Sequence, residues 1–357
     1  MNKLVAKVAF AFALLLLNAH ALIHAQPKDG PSSIREIALY QGEDRLRRLV
    51  AGAKKEGALT LYTAVNKLQH DSPIVKAFQE KYGIKVTVWR AGSETVLQRV
   101  VTEARAKRFD VDVVTSTGSG LESLHREKLL QEIRSPNFSE LIPAALPSHR
   151  EWVGTYLQAF VQAYNTNLVQ KKDLPRAYRD LLDPKWNNRL TIESEDYEWF
   201  YSVVKDMGEE KGLQFFKDLV TKNGLSVRTG HSLLTNLVAS GEVPLALTVY
   251  HYTPEQLKQK GAPIDWFVIE PAIVGVVATG VAKSAPHPNA AILFYDYLMS
   301  EETQKLWVEM NYTPVNKKVP SPLKGIALKL IDPVVSLDES DKWNKLYGEI
   351  VLRKGSK

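Results

Sequence analysis

The sequence predicts an α/β protein in which mainly parallel sheets are covered by helices. Short apolar runs alternate with amphipathic stretches along most of the chain, a pattern typical of repeated strand–helix units. Of the 357 residues, 45% are hydrophobic and 24% are charged, as in globular proteins with sizeable cores. About 330 residues follow the first 25, which form a distinct N-terminal segment. That length suits two domains of ordinary size.

The N-terminus has the anatomy of a secretory signal peptide. Two early lysines supply the positive charge, an uncharged apolar run of ten residues spans 8–17, and small residues follow at Ala21 and Ala25. A membrane anchor needs about 20 apolar residues, which this run does not reach. We therefore predict a signal peptide over 1–25 and a mature protein that is periplasmic or secreted.

Composition and missing motifs exclude several function classes. The chain has no cysteine, so it has neither a disulfide framework nor thiol chemistry. The net charge of +6 is spread among mixed acidic and basic residues, whereas nucleic-acid binding proteins concentrate theirs. The motifs HExxH, GxSxG and GxxxxGK[ST] are absent, and Gly118-Ser119-Gly120 lacks the third glycine of a dinucleotide fingerprint. We predict a protein that is not an enzyme, uses no cofactor and binds no nucleic acid.

Three strand–loop–helix units follow one another in the first half. The predicted strands are 59–63, 84–89 and 111–114. Ser72 and Pro73 open the first helix and Gly83 ends it, because serine caps a helix, proline fits its first turn and glycine adopts the left-handed conformation. We expect Ser93 to cap the second helix. The third begins after the small-residue loop 116–120, and three such units favour a parallel sheet.

The second half repeats this alternation with more helix. Further strands are predicted at 157–164, 190–192 and 245–250, and an extended segment over 268–281 is expected to break at Pro271 and Gly275. The predicted helices are two between 198 and 222, then 232–239, 253–260, 289–299 and 301–310.

Several segments resemble the iron(III)-type periplasmic binding proteins. In the first half these are Leu61-Tyr62-Thr63, KAFQEKYGIKVTVWRAGS (76–93) and FDVDVVTSTGSGLESL (109–124). In the second half they are QAYNTNLV (162–169), GHSLLTNLVASGEVPLALTVYHY (230–252) and APHPNAAILFYDYLMSEETQKLW (285–307). The resemblance covers roughly residues 57–320 and is specific for the class, not for a ligand.

This resemblance implies a two-lobed α/β fold of the type II periplasmic binding class, with the ligand in the cleft between the lobes. The first lobe is expected to comprise 26–150 plus 268–335, the second lobe 151–267, and a C-terminal helix and tail 336–357. The lobes should close about a hinge, and the partner should be the membrane permease of an ABC importer. We expect a monomer that delivers a small solute.

The loops between strands and helices supply the candidate ligand-binding residues of the first lobe. In open α/β sheets, ligands lie beyond the carboxyl ends of strands, where helix N-termini present free N–H groups. The candidates are Thr63, Asn66, Ser93, Ser116 and Thr117. Each hydroxyl has a simpler alternative role as a helix cap, but three such loops in succession favour a binding wall.

The second lobe offers an acidic run and a group of aromatic and basic side chains. The candidates here are Glu193, Asp196, Tyr197, Arg228, His231, Tyr250 and Tyr252. The acidic run suits a cation or amine, or it is a solvated face. Arginine suits a carboxylate or phosphate, unless Arg228 forms a salt bridge. Strand alternation places Tyr250 and Tyr252 on one face and His251 on the other.

The resemblance also bears on whether the ligand of this protein is ferric ion. Iron-binding relatives use two adjacent tyrosines, of which Tyr252 matches the first and Thr253 falls at the second. The histidine and the acidic residue that these relatives use as ligands in the first lobe correspond to positions near Asn66 and Thr117 in this chain. These three departures favour a small organic anion (a phosphate, phosphonate or carboxylate) with no metal. The alternative is ferric ion held by Tyr252 and Tyr250, and a ligand-sensing receptor or a two-lobed enzyme is the alternative of another class.

The signal peptide generates the first testable prediction. N-terminal sequencing of exported protein should give a chain that begins near Leu22 or Gln26, because cleavage follows the small residues. Recovery of a chain that still begins at Met1 in the membrane fraction would contradict it.

Overall fold

The computed structural model describes residues 33–353, so the predicted signal peptide lies outside the described residues. The strands are β1 (Ala58–Thr63), β2 (Lys85–Arg90), β3 (Val113–Thr117), β4 (Trp152–Asn165), β5 (Leu190–Glu193), β6 (Leu225–Arg228), β7 (Leu245–Tyr250), β8 (Ile264–Phe267), β9 (Ala272–Val281), β10 (Thr313–Pro314) and β11 (Leu328–Leu330). The α-helices are α1 (Ile34–Leu39), α2 (Arg45–Glu56), α3 (Pro73–Tyr82), α4 (Ser93–Arg105), α5 (Gly118–Arg126), α6 (Tyr197–Met207), α7 (Glu209–Asp218), α8 (His231–Ser240), α9 (Tyr252–Gln259), α10 (Pro288–Met299), α11 (Glu301–Glu309), α12 (Pro333–Asp338) and α13 (Ser340–Ile350).

All of these strands belong to one connected sheet, whose main order is β2-β1-β3-β9-β4-β7-β5-β6. At one end β2 and β3 pair in parallel with β1, and at the other β6 and β7 pair in parallel with β5. The two long central strands β4 and β9 pair antiparallel with each other. On their outer sides β4 pairs antiparallel with β7, and β9 pairs antiparallel with β3. The α/β prediction is confirmed, and the parallel ends are joined by antiparallel strands.

The capping residues set the ends of α3. The Ser72 hydroxyl accepts a hydrogen bond from the backbone N–H of Ile74, Pro73 occupies the first turn, and Gly83 ends the helix with a φ of 71°. These expectations are confirmed. The expected cap at Ser93 is wrong by one position, because Gly92 is the N-cap and Ser93 is the first helical residue.

The extended segment over 268–281 also differs from its prediction at one point. Strand β9 runs without a break from Ala272 to Val281, and Gly275 lies inside it opposite Gln158 of β4. A glycine without a side chain continues this ladder because its backbone still supplies both hydrogen-bonding groups. Gly275 therefore does not interrupt the strand.

Two hydrophobic cores lie on the sheet. The first includes β1, β3, α3 and α10, and the second is built on the aromatic side chains of α6 and α7. The C-terminal segment contacts both sides: α12 packs on α5, while Trp343 and Tyr347 of α13 lie 6.2 and 5.4 Å from the ring of Phe200. Within residues 33–353, no helix has the length and apolar character needed to cross a membrane.

A row of buried threonine hydroxyls joins the central strands. The hydroxyl of Thr279 on β9 lies 3.0 Å from that of Thr115 on β3 and 2.7 Å from that of Thr155 on β4. All three side chains are fully buried. Because a buried hydroxyl without a partner costs free energy, this row helps to fix the relative register of three strands.

Replacement of Thr279 with valine tests this row. Thr279→Val keeps the side-chain shape but leaves Thr115 and Thr155 each without a partner, so it should lower the free energy of unfolding by about 1–2 kcal/mol. Urea unfolding followed by circular dichroism measures the change. Thr102→Val on the exposed face of α4 is the matched control and should change stability by less than about 0.5 kcal/mol. Equal effects of the two changes would contradict the role of Thr279.

Candidate functional site

A cavity of about 30 Å³ lies beyond the carboxyl ends of β3 and β7, above the middle of β4 and β9. This is where open α/β sheets usually bind ligands. Its walls come from elements of both cores, so it is a cleft site between them. The lining residues are Thr117, Gly118, Ser119, Gln158, Phe160, Glu198, Tyr250, Gly275, Val276, Ile331 and Pro333.

The first wall is the N-terminus of α5. Thr117 caps this helix by accepting a hydrogen bond from the backbone N–H of Gly120. Gly118 permits the close approach of the C-terminal segment, because a Cβ atom there would lie 2.9 Å from Cγ of Pro333. The first turn of a helix leaves backbone N–H groups unpaired and carries a partial positive charge. This wall therefore presents hydroxyl and N–H donors.

The opposite wall is Glu198 in the first turn of α6. One of its carboxylate oxygens accepts hydrogen bonds from the hydroxyls of Ser119, at 3.2 Å, and of Ser336. Burial raises the pKa of Glu198 above its ordinary value, although the two serine hydroxyls lower it. No other lining residue in the described chain carries a charge. The cavity thus contains one acidic group without an opposite charge.

Tyr250 at the end of β7 forms the aromatic side of the cavity. Its ring centroid lies 5.2 Å from that of Phe160, 3.9 Å from that of His231 and 5.9 Å from that of Tyr252. Burial raises the pKa of the Tyr250 phenol well above its ordinary value, and nearby Asp196 raises it further. Tyr252 stacks on Tyr250 although it is the first residue of α9 and not part of β7, so strand alternation does not account for its position. His251 points elsewhere, towards Thr313.

The structure brings some of the sequence candidates together and separates others. Thr117 and Tyr250 line the cavity, and Ser116, the residue before Thr117 in β3, has a buried hydroxyl with no partner among the described residues. Glu193, Asp196 and His231 form a second group under the Tyr250 ring. The candidates that do not line the cavity are Thr63, Asn66, Ser93, Tyr197, Arg228 and Tyr252.

Three of those outlying candidates have specific surroundings. The Thr63 hydroxyl is buried and accepts from the backbone N–H of Val65, so it closes a turn. The Tyr252 hydroxyl accepts from the amide of Gln158 at 3.1 Å, and burial raises its pKa to about 12. The Arg228 guanidinium lies 3.5 Å from the carboxylate of Glu242, which is the salt-bridge alternative foreseen for it.

The group of Glu193, Asp196 and His231 lies at the N-termini of α6 and α8. Nε2 of His231 is 3.2 Å from a carboxylate oxygen of Asp196. The Glu193 carboxylate accepts from the backbone N–H of Gly230 at 2.8 Å and of Glu195 at 2.5 Å. Burial alone would lower the pKa of His231, but the Asp196 and Glu193 carboxylates raise it above the ordinary value.

Sequence reasoning missed Gln158 and Ser336 as candidates. It included Glu198 only as a member of the acidic run after β5, although its place in the first turn of α6 could have singled it out. Gln158 stands inside a long apolar strand, where a polar side chain is a signal. Ser336 carries no local signal, because only the packing of α12 on α5 brings it to the cleft.

Comparisons with known proteins identify the family of this chain. The family of bacterial extracellular solute-binding proteins matches residues 73–328. Iron uptake protein A1 of Synechocystis sp. is 28% identical over 274 residues, which cover 70% of this chain and 76% of that protein. A putative 2-aminoethylphosphonate-binding periplasmic protein of Salmonella typhimurium is 26% identical over 259 residues, covering 68% and 73% of the two chains.

A solved structure shows the same fold. Iron-bound HitA from Pseudomonas aeruginosa superimposes with a TM-score of 0.71 at 25% identity, covering 82% of this chain and 99% of that one. The two-lobed periplasmic binding fold expected from the sequence is confirmed. The family match spans well over half of the chain. This chain therefore belongs to the bacterial extracellular solute-binding proteins.

Proposed function

We propose that this protein is the solute-binding component of an ABC importer and that its cleft captures a positively charged solute. The observation that carries the proposal is the Glu198 carboxylate, the single charged group among the lining residues of the described chain. Glu198 is partly buried. A carboxylate that has lost part of its hydration and has no cation beside it is costly, and a cationic ligand reduces that cost.

The same observation argues against the small organic anion favoured by the sequence. That hypothesis relied on Arg228 for charge complementarity, but Arg228 pairs with Glu242 and stands outside the cavity. An anion placed against Glu198 alone would meet a like charge. The signal peptide and the permease partner remain parts of this proposal.

A hard metal cation of the ferric class is the solute that the site favours. The side-chain donors that line the cavity are hydroxyl, amide, carboxylate and phenol groups, from Thr117, Ser119, Gln158, Glu198 and Tyr250. Hard cations prefer oxygen ligands. A volume of about 30 Å³ suits an ion, since a buried water needs roughly 10–15 Å³ by the same measure. The likeness to an iron uptake protein supports this class.

A second candidate is a small aminoalkyl phosphonate. The N-terminus of α5 is suited to an anion, and Glu198 faces it across the cavity, where an ammonium group would pair with it. One relative is named for 2-aminoethylphosphonate, a molecule that carries both an ammonium group and an anionic phosphonate. Such a molecule requires the cavity to open wider.

The burial of Glu198 predicts a pH-dependent stability. The folded protein holds the Glu198 proton more tightly than the unfolded chain does, so ionisation of this carboxyl costs stability as pH rises through the raised pKa. Glu198→Gln cannot ionise. In the ligand-free protein the variant should match the wild type at pH 4 and melt at a higher temperature at pH 8. A difference that does not change with pH would contradict this assignment.

Ligand titration tests the proposed solute. Addition of ferric citrate to the metal-stripped protein should produce a tyrosinate-to-iron absorption band, which Tyr250→Phe removes because the phenol oxygen is lost. Glu198→Gln should weaken ferric binding at least tenfold by isothermal titration calorimetry, whereas Arg228→Ala is the control and should leave it unchanged.

The same variants separate the alternatives. Binding of 2-aminoethylphosphonate that is weakened by Glu198→Gln and unaffected by Tyr250→Phe would favour the second candidate over iron. Binding of a simple phosphate or carboxylate that Arg228→Ala abolishes and Glu198→Gln strengthens would overturn the cationic proposal altogether.

A further inference from the structure

We propose that Glu193, Asp196 and His231 form a second site, which binds one divalent transition-metal ion such as zinc. It is distinct from the cleft, because none of these three residues lines the cavity. One ligand atom from each residue lies within 4.8 Å of the others. The ring of His231 stacks 3.9 Å from that of Tyr250, so the site lies directly behind the cleft wall.

The spacing of Asp196 and His231 fits two ligands of one metal ion. Nε2 of His231 lies 3.2 Å from the Asp196 oxygen. Zinc binds imidazole nitrogen and carboxylate oxygen at about 2.0 Å, so two ligands at a tetrahedral angle are about 3.3 Å apart. Glu193 is already oriented by the backbone N–H groups of Gly230 and Glu195. Hydrogen bonds of this kind orient a carboxylate that serves as a metal ligand.

The unmet bonding capacity of the group points to a ligand. Asp196 is only 4% exposed, and its second carboxylate oxygen has no hydrogen-bond partner in residues 33–353. Among the described residues His231 is the ion-pair partner of Asp196, and neither Asp196 nor Glu193 is paired with a lysine or arginine. Buried carboxylates are normally paired or coordinate a metal.

A comparison within the same molecule sharpens this assignment. Glu122, His125 and His149 form another group of potential ligands, but their bonds are satisfied. Nδ1 of His149 accepts from the backbone N–H of Glu151, and its Nε2 lies 3.2 Å from Glu122. With Nδ1 as acceptor, Nε2 carries the proton and donates to Glu122, which leaves no lone pair for a metal. The rings of His125 and His149 are also stacked face to face, with their centroids 3.7 Å apart.

Zinc titration of the metal-stripped protein, measured by isothermal titration calorimetry, tests the proposal. The wild type should bind one Zn²⁺ per chain at this site. Asp196→Asn preserves the side-chain size, removes the ligand charge and should weaken binding at least tenfold. His149→Gln and Glu198→Gln are the controls, and both should bind zinc as the wild type does.

The outcomes distinguish this site from the cleft. Zinc binding that survives Asp196→Asn, or is lost in Glu198→Gln or His149→Gln, would overturn the proposal, as would a wild type that binds no zinc. If Asp196→Asn fails to fold, His231→Gln with Co²⁺ as the probe replaces it. The cobalt absorption bands of the wild type should be absent in His231→Gln, and bands that persist would equally overturn the proposal. Loss of ferric binding in Glu198→Gln with zinc binding retained would support both sites independently.

Discussion

The antiparallel pairing of β4 with β9 is the constraint on which the rest of the structure depends. These two strands are the longest in the sheet, and each also pairs with a strand of one parallel end. Their register decides where the ends of β3 and β7 lie, and therefore where Thr117 faces Tyr250. The hydroxyls of Thr115, Thr155 and Thr279 add a polar check on that register, since a one-residue slip would turn each of them to the other face.

Much of the fold follows from local sequence. Ser72, Pro73 and Gly83 delimit α3 through capping chemistry that acts within a few residues, so the sequence pattern is sufficient to predict it. The pairing of β4 and β9 depends on contacts between residues that are distant in sequence. An apolar run does not indicate whether the neighbouring strand will be parallel or antiparallel. For the same reason the sequence could not show that Gly275 sits within a continuous ladder opposite Gln158.

The site was predictable only where a residue's role is local. Thr117 and Tyr250 were found because each ends a strand, and strand ends meet at one edge of the sheet. Arg228 also ends a strand, yet its long side chain turns to Glu242. Ser336 comes from a segment with no local sign of function, and it reaches Glu198 because α12 packs on α5. The direction of a long side chain and the path of a late segment are decided by packing.

The C-terminal segment packs against both sides of the cleft. Helix α12 packs on α5, whose leucines belong to the first core, whereas α13 packs on α6 of the second core. Ser119 of α5 and Ser336 of α12 bind the same oxygen of Glu198. A hinge motion that separates α5 from α6 would therefore break both bonds and bend the chain between α12 and α13. A ligand that binds Glu198 as proposed would compete with Ser119 and Ser336 for this carboxylate, which joins the two sides of the cleft.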